Sequence, residues 1–231
     1  MSENLNQCKN LRFCITEANN ISDEQKEKIR ELINEGGQVC MDYFDDGWSR
    51  NPIVATIWDE DRLVACGALK VPANDAKTDY KEDVFSKAKS KIDHKTIERE
   101  LGWLVTDEDC KGNGFCNSII KALLKYNKEN LENKPLFATA RKDNLKICKI
   151  FKTNNFHKTG IPYKSCRDDY ELVLYTNTII NSSCNTISNV VEVHQFKQDF
   201  LDKMENPEKF AIMNEKTFSS HIGYQRQYTS D

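Results

Sequence analysis

The stretch from residue 98 to residue 130 constrains the fold of this chain most. Glu98-Arg-Glu-Leu-Gly-Trp-Leu-Val-Thr106 reads as a β-strand, and Lys111-Gly-Asn-Gly114 as a Gly-rich turn. Phe115, Ile119, Ile120, Leu123 and Leu124 then recur at a helical period. A strand, a tight turn and a helix in direct succession point to an α/β chain. Such a turn presents backbone N–H groups and the positive end of a helix dipole, an arrangement suited to phosphate. It matches neither the P-loop nor the Gly-x-Gly-x-x-Gly pattern of known nucleotide sites. An Asn-Gly pair is also an ordinary turn, so taken alone the turn leaves both readings open.

The flanking segments extend the α/β pattern. Leu11-Arg-Phe-Cys-Ile-Thr16 alternates as a short strand, and Ser22 can cap a helix carrying Ile29, Leu32 and Ile33 that stops at Gly36-Gly37. Val39 to Trp48 mixes aromatic and acidic residues without a clean period and reads as a short helix followed by a loop. Ile53–Trp58 and Leu63–Val71 surround a polar turn, which is a hairpin signature, and Pro72 closes the second strand. A short surface helix is expected within the charge-dense stretch from Asp79 to Lys95. Pro135–Ala140 reads as a buried strand, Asp143 or Asn144 as the cap of a helix ending at Asn154-Asn155, and Tyr170–Tyr175 as a last strand.

Composition sets limits on partners and compartment. With 33 Lys and Arg against 36 Asp and Glu in 231 residues, the net charge is -3, without the basic excess that capture of nucleic acid relies on. No apolar run approaches the roughly 18 residues of a membrane span. The first ten residues have neither the positive start nor the apolar run of a secretory signal, so the cytoplasm is the expected location and neither nucleic acid nor membrane the expected partner. The nine cysteines are an odd number with no Cys-x-x-Cys pair, and they read as reduced thiols. His94, His157, His194 and His221 are scattered without partners at ligand spacing, so no metal is expected.

Lys111-x-x-Gly114-x-Cys116, preceded by Glu100-Leu-Gly-Trp-Leu-Val105, resembles the acetyl-CoA signature of the GNAT N-acetyltransferase superfamily. That signature is an Arg/Gln-x-x-Gly-x-Gly/Ala turn following a strand that often begins with Glu-Leu. The hairpin before it, and Leu136–Ala140, Asn144 and Asn155-Phe156 after it, stand in the family's order. The resemblance covers about residues 11–175 and implies a GNAT-like α/β domain over residues 1–175. Its central sheet would be mixed and mostly antiparallel, with helices on both faces and a V-shaped opening at the strand from Glu98 to Thr106. Residues 176–231 would form a linker and a C-terminal helical extension, in which Val193, Phe196, Phe200 and Met204 share one helical face.

The same resemblance implies an acetyl-CoA-dependent N-acetyltransferase, in which an amine attacks the thioester carbonyl directly. Acetyl-CoA would be held by Leu104, Val105, Lys111, Gly112, Asn113, Gly114, Phe115, Cys116 and Asn144. Pyrophosphate would lie on the amides of residues 112–115 and the pantetheine arm against Asn144. Val105 would be catalytic through a backbone N–H that polarises the carbonyl oxygen, with Leu104 beside it. Glu100 is the first candidate for the group that removes the amine's proton, and Glu98 the reserve. Lys111 and Cys116 depart from the usual residues, and Phe151 stands where many members carry a Tyr that protonates the departing thiolate. Either the thiolate leaves unassisted or through water, or another donor such as Tyr163 or Cys148 reaches it, or the fold has lost catalysis.

The expected acceptor is an amine-bearing small molecule or protein. Asp42, Tyr43, Phe44, Asp45, Asp46 and Trp48 lie where the family places a wall of the acceptor site, and an acidic aromatic rim there would favour a cationic amine. The competing reading is a catalytically silent GNAT-fold module that binds CoA or a protein partner. The extension could cover the acceptor cleft or form an oligomer surface, such as that of a homodimer.

Overall fold

The computed structural model describes residues 10–178 except 38, 40, 76, 77 and 166–168. The C-terminal extension expected beyond residue 178 lies outside the described residues.

Strand β1 (Leu11–Glu17) leads into helix α1 (Asp23–Glu35), whose first turn is capped by the Ser22 hydroxyl accepting from the Gln25 N–H at 3.3 Å. α1 stops where Gly37 takes a φ of 62°. Helix α2 (Phe44–Ser49) follows, then the hairpin of β2 (Ile53–Asp59) and β3 (Arg62–Lys70). A two-stranded ribbon, β4 (Asn74–Asp75) with β5 (Thr78–Asp79), precedes helix α3 (Tyr80–Lys87). Strand β6 (Arg99–Thr106), helix α4 (Phe115–Asn130), strand β7 (Leu136–Arg141) and helix α5 (Leu145–Thr153) form the next unit. Short strands β8 (His157–Lys158) and β9 (Tyr163–Lys164) and the longer β10 (Glu171–Thr176) complete it.

Eight strands form one sheet in the order β1-β2-β3-β6-β7-β10-β8, with β9 also on β10. Every pairing is antiparallel except β6 with β7, as expected of a mixed, mostly antiparallel sheet. Helices cover both faces. Side chains alternate across a strand, and the cores divide accordingly. Leu69, Leu101, Leu136 and Ala138 pack with Phe115, Ile119 and Leu123 of α4 and Phe151 of α5. Cys66, Ala68, Trp103 and Val105 face the other way, onto Ile29, Leu32 and Ile33 of α1 and Phe44 and Trp48 of α2. Phe137 and Leu174 join α3 on that second face. Ile119, Ile120 and Leu123 are fully buried, each contributing about 1.5–3 kcal/mol relative to exposure.

Candidate active site

The site begins with a fault in the β3–β6 pairing. Cys66 faces Val105 and Ala68 faces Gly102, so Trp103 and Leu104 together oppose Gly67 alone. This is a β-bulge, which bends the strand that carries it. Trp103 sits at φ 52°, a left-handed conformation uncommon for a bulky residue and costing about 1–3 kcal/mol. Packing offsets that cost. The Trp103 indole lies 5.0 Å from the Phe44 ring and 6.2 Å from the Trp48 ring, the Lys70 ammonium sits 5.7 Å above it, and its carbonyl accepts from the Cys66 thiol at 3.5 Å.

On its other edge β6 pairs with β7 only at Arg99–Leu136 and Glu100–Phe137. Beyond Glu100 the two strands part, and a cleft of about 220 Å3 opens between them. Its lining divides by face. Leu101, Leu104, Ala140, Ile147 and Phe151 belong to the α4/α5 side and, with Asn144, make a neutral wall. On the α1–α3 side, Lys70, Glu100, Trp103, Thr139 and Arg141 from the sheet meet Tyr80, Asp83 and Lys87 of α3 and Tyr163 and Lys164 of β9. Every charged residue of the lining stands on this second side or on the adjoining edge strand.

Glu100 is buried, 6% exposed, and its Oε2 lies 2.9 Å from Lys70 Nζ. It is therefore not a solvated strand-end charge. Glu98 precedes β6, is half-exposed, pairs with Lys134 at 3.2 Å and borders a separate cavity of about 320 Å3. Asn144 lines the neutral wall while its Oδ1 accepts from the Ile147 N–H at 3.2 Å, capping α5. Leu104 stands on the same wall. Val105 is not in the lining, and its side chain points to the opposite face, so close to Gly36 that a Cβ there would lie 2.8 Å from Val105 Cγ1, which leaves only its backbone to act toward the cleft. Phe151 is 1% exposed, with its ring 5.6 Å from that of Phe156 and 5.3 Å from that of Tyr175.

The turn before α4 is built as its sequence requires. Gly112 and Gly114 take φ 91° and 79°, and Gly114 is the N-cap of α4. The first hydrogen bond of the helix runs from the Ser118 N–H to the Gly114 carbonyl at 3.1 Å; amides ahead of that bond have no intrahelical acceptor. The Asn113 amide donates to the Cys110 carbonyl at 3.0 Å, and Lys111 is ion-paired with Glu108. Cys116 packs into the α4/α5 core, where burial pushes its thiol up to about 11. The turn opens the helix that covers the neutral side of the cleft, and it is not part of the lining itself.

Three features differ from expectation. The acidic aromatic rim does not line the cleft. Asp45 is bound by Lys26 at 3.0 Å and Arg30 at 3.6 Å, Asp46 by Arg50, and Phe44 and Trp48 are core residues. The acidic turn thus serves α1, whose basic residues face it. Cys148 is engaged with the Arg141 carbonyl at 3.8 Å and does not line the cleft, whereas Tyr163 does. His94 has carboxylate neighbours after all, its ring lying with Asp79 and Glu82 in a group whose ligand atoms are within 4.8 Å of one another. Asp79 caps α3 by accepting from the Glu82 N–H at 3.0 Å, and an acidic cap with Glu three residues on is a helix-start pattern in its own right. Lys70 went unnoticed in the sequence because its partner is thirty positions away on the next strand of the sheet.

No family sequence model and no curated protein sequence matches the chain. Solved structures do. Escherichia coli ElaA superposes with a TM-score of 0.54 at 13% identity, covering 72% of this chain and 98% of that one. An acyl-CoA N-acyltransferase from Pseudomonas aeruginosa gives 0.52 at 12% identity, over 73% and 99%. NAA60 of Arabidopsis thaliana, solved in complex with a bisubstrate analogue, gives 0.51 at 14% identity, over 74% and 99%. β6 and β7 part within the strand where the resemblance implies an opening, the Gly-rich turn follows β6 and opens α4, and these likenesses show a GNAT-like fold.

Proposed function

We propose that the chain is an acetyl-CoA-dependent N-acetyltransferase that moves an acetyl group to a primary amine by direct attack. The observation that carries this reading is the division of the cleft into a neutral wall and a charged wall that meet where β6 leaves β7. The pantetheine arm of acetyl-CoA is neutral and suits Leu101, Leu104, Ile147 and Asn144. Its pyrophosphate rests on the amides of Gly112, Asn113, Gly114 and Phe115, where the α4 dipole favours negative charge, with Lys111 and Cys116 flanking the turn. The Val105 N–H polarises the thioester carbonyl, a contact that strengthens as charge develops on the oxygen.

The amine enters from the charged wall. Its nitrogen forms a bond to the acetyl carbon, the C–S bond breaks, CoA leaves as the thiolate, and the nitrogen sheds its second proton to water as the amide forms. An amine with a pKa near 10 is protonated at neutral pH, so a base must act first, and Glu100 takes that proton directly or through water. Phe151 has no proton to give the thiolate; Tyr163, in the lining, supplies it. The acceptor amine belongs to a small molecule or a protein, and the compartment is the cytoplasm. Cys14, Cys66, Cys110, Cys116 and Cys148 are free, and no helix among the described residues is long and apolar enough to cross a membrane.

The test is calorimetric titration of the full chain with acetyl-CoA, followed by an assay of CoA release with amines. Micromolar binding that is lost in Gly114→Trp, checked for folding by circular dichroism, and turnover that is lost in Glu100→Gln are expected. Binding without release of CoA to any amine would favour the second reading, a silent module, which the proton-free Phe151 specifically suggests.

A further inference from the structure

We infer that the acceptor is an anionic amine, a molecule carrying a carboxylate or a phosphate-like group in addition to the nitrogen that is acetylated. This rests on the acetyl-transfer reading above and departs from the cationic acceptor that the acidic segment at residues 42–48 suggested.

The charged wall holds four cations, Lys70, Lys87, Arg141 and Lys164, against two carboxylates, Asp83 and Glu100. Both carboxylates are already engaged, Glu100 by Lys70 at 2.9 Å and Asp83 by Lys87 at 2.7 Å. Arg141 is gripped through two hydrogen bonds of 3.1 and 2.8 Å by Asp143, which stands outside the lining. Lys164, on edge strand β9, has no carboxylate within ion-pair distance among the described residues. With the other three cations each held by a carboxylate, the positive excess of the wall falls to Lys164.

Acetyl-CoA does not account for that excess. Its phosphates are served by the turn at the start of α4, which belongs to the opposite side of the sheet, and its arm by the neutral wall. A diamine or polyamine would bring a second ammonium against like charge, which disfavours it. An acceptor with its own anion offers Lys164 the partner it lacks and leaves Glu100 to the amine. Arg141 is occupied by Asp143, and the ammonium of Lys164 is a compact point charge without a planar fork, so the wall selects for negative charge and not for one shape of anion.

The experiment uses the full chain and four acceptors of matched length: an alkylamine, an α,ω-diamine, an ω-amino carboxylate and an aminoalkyl phosphonate. CoA release gives kcat/KM for each, and calorimetry gives binding of each to protein saturated with CoA. The carboxylate or the phosphonate, or both, should exceed the diamine at least tenfold in kcat/KM and in affinity, and the two arms separate a carboxylate preference from a phosphate one. Lys164→Glu should raise the KM of the preferred acceptor about tenfold, more than it changes kcat, without altering the KM of acetyl-CoA. Preference for the diamine or the alkylamine, or an unchanged acceptor KM in Lys164→Glu, overturns the inference while leaving acetyl transfer intact. Selective binding of the anionic amines without CoA release supports the inference and removes the transfer reading. Absence of binding and release with all four overturns it.

Discussion

Lys70 Nζ lies 2.9 Å from Glu100 Oε2, and the two side chains keep only 19% and 7% of their exposure. The residues face one another across β3 and β6 in direct register. Gly102 makes the approach feasible, because a Cβ there would stand 2.6 Å from Lys70 Cε. Three positions on two strands therefore fix one carboxylate at the mouth of the parted sheet, and Lys70 orients the group proposed as the proton acceptor.

Glu100→Gln separates the structural part of that pair from the chemical part. It leaves the Lys70 ammonium largely out of water without its partner. Breaking a buried pair costs about 3–5 kcal/mol, and the residual exposure of Lys70 reduces this to about 1–3 kcal/mol. Loss of a general base slows turnover about 100-fold or more. The double variant Lys70→Met/Glu100→Gln should recover the denaturant midpoint and stay slow. Recovery of rate along with stability would show that Glu100 serves the fold alone.

Gly67→Ala should couple stability to cofactor affinity. A Cβ at Gly67 would fall 2.5 Å from Ile119 Cγ2 and 2.7 Å from Leu104 Cδ2. Neither neighbour is a loose chain end, since Ile119 is fully buried in α4. Overpacking of this kind costs about 1–3 kcal/mol. Leu104 also lines the neutral wall, so displacing it should weaken acetyl-CoA binding several-fold in calorimetry. Alanine at the exposed position Lys128, on the same helix, should change neither measurement.

Much of this architecture was legible in the sequence because its signals are local. Ser22, Gly36-Gly37, the hairpin turn at residues 59–62 and Asn144 each act within a few positions, and a cap or a turn needs no distant partner. The site was legible only as far as its motif is contiguous, from Glu100 to Cys116. The Lys70–Glu100 pair depends on β-register, which is set by the whole sheet. The left-handed Trp103 has no marker, since that conformation favours Gly and Gly102 beside it does not adopt it. Residues 42–48 have the composition of an acceptor wall, yet what turns Phe44 and Trp48 inward is the Trp103 ring arriving from a strand far along the chain.

Asp45→Asn/Asp46→Asn should leave acceptor KM unchanged. Lys26 hydrogen-bonds to the exposed Asp45 carboxyl and holds it below the usual carboxylate range, with Arg30 adding to the effect. These pairs tie α2 to α1 on the surface, where salt screens them. A changed KM for the acceptor in steady-state assays would restore the acidic segment to the binding site.

Stability should decline on the alkaline side, with Cys66 contributing. Burial pushes its thiol up to about 12 from 9.0, although the hydrogen bond from the β6 backbone opposes the shift. A raised pKa means that the folded state holds the proton more tightly than the unfolded state does. The thiol's contribution is therefore complete below pH 9 and is lost as pH rises from about 9 to about 12, at about 1.4 kcal/mol per pH unit for one group. Cys66→Ala should flatten the fall in unfolding free energy measured by denaturant titration between pH 9 and pH 10.5. An unchanged slope would place the linkage elsewhere.

Tyr163→Phe tests the route of the last proton. Tyr163 lines the cleft on β9, whereas Phe151 on α5 stands where the sequence resemblance implies a Tyr. If Tyr163 protonates the thiolate, its loss should lower kcat about 10- to 100-fold and leave acetyl-CoA affinity close to that of the parent. Phe151→Tyr in the same background returns a phenol to the neutral wall beside Asn144 and should recover part of the lost rate. The rescue distinguishes chemistry from packing, because a variant slowed only by a disturbed β9 gains nothing from a hydroxyl on α5. Undiminished kcat in Tyr163→Phe would instead mean that the thiolate departs through water, with neither aromatic ring taking part.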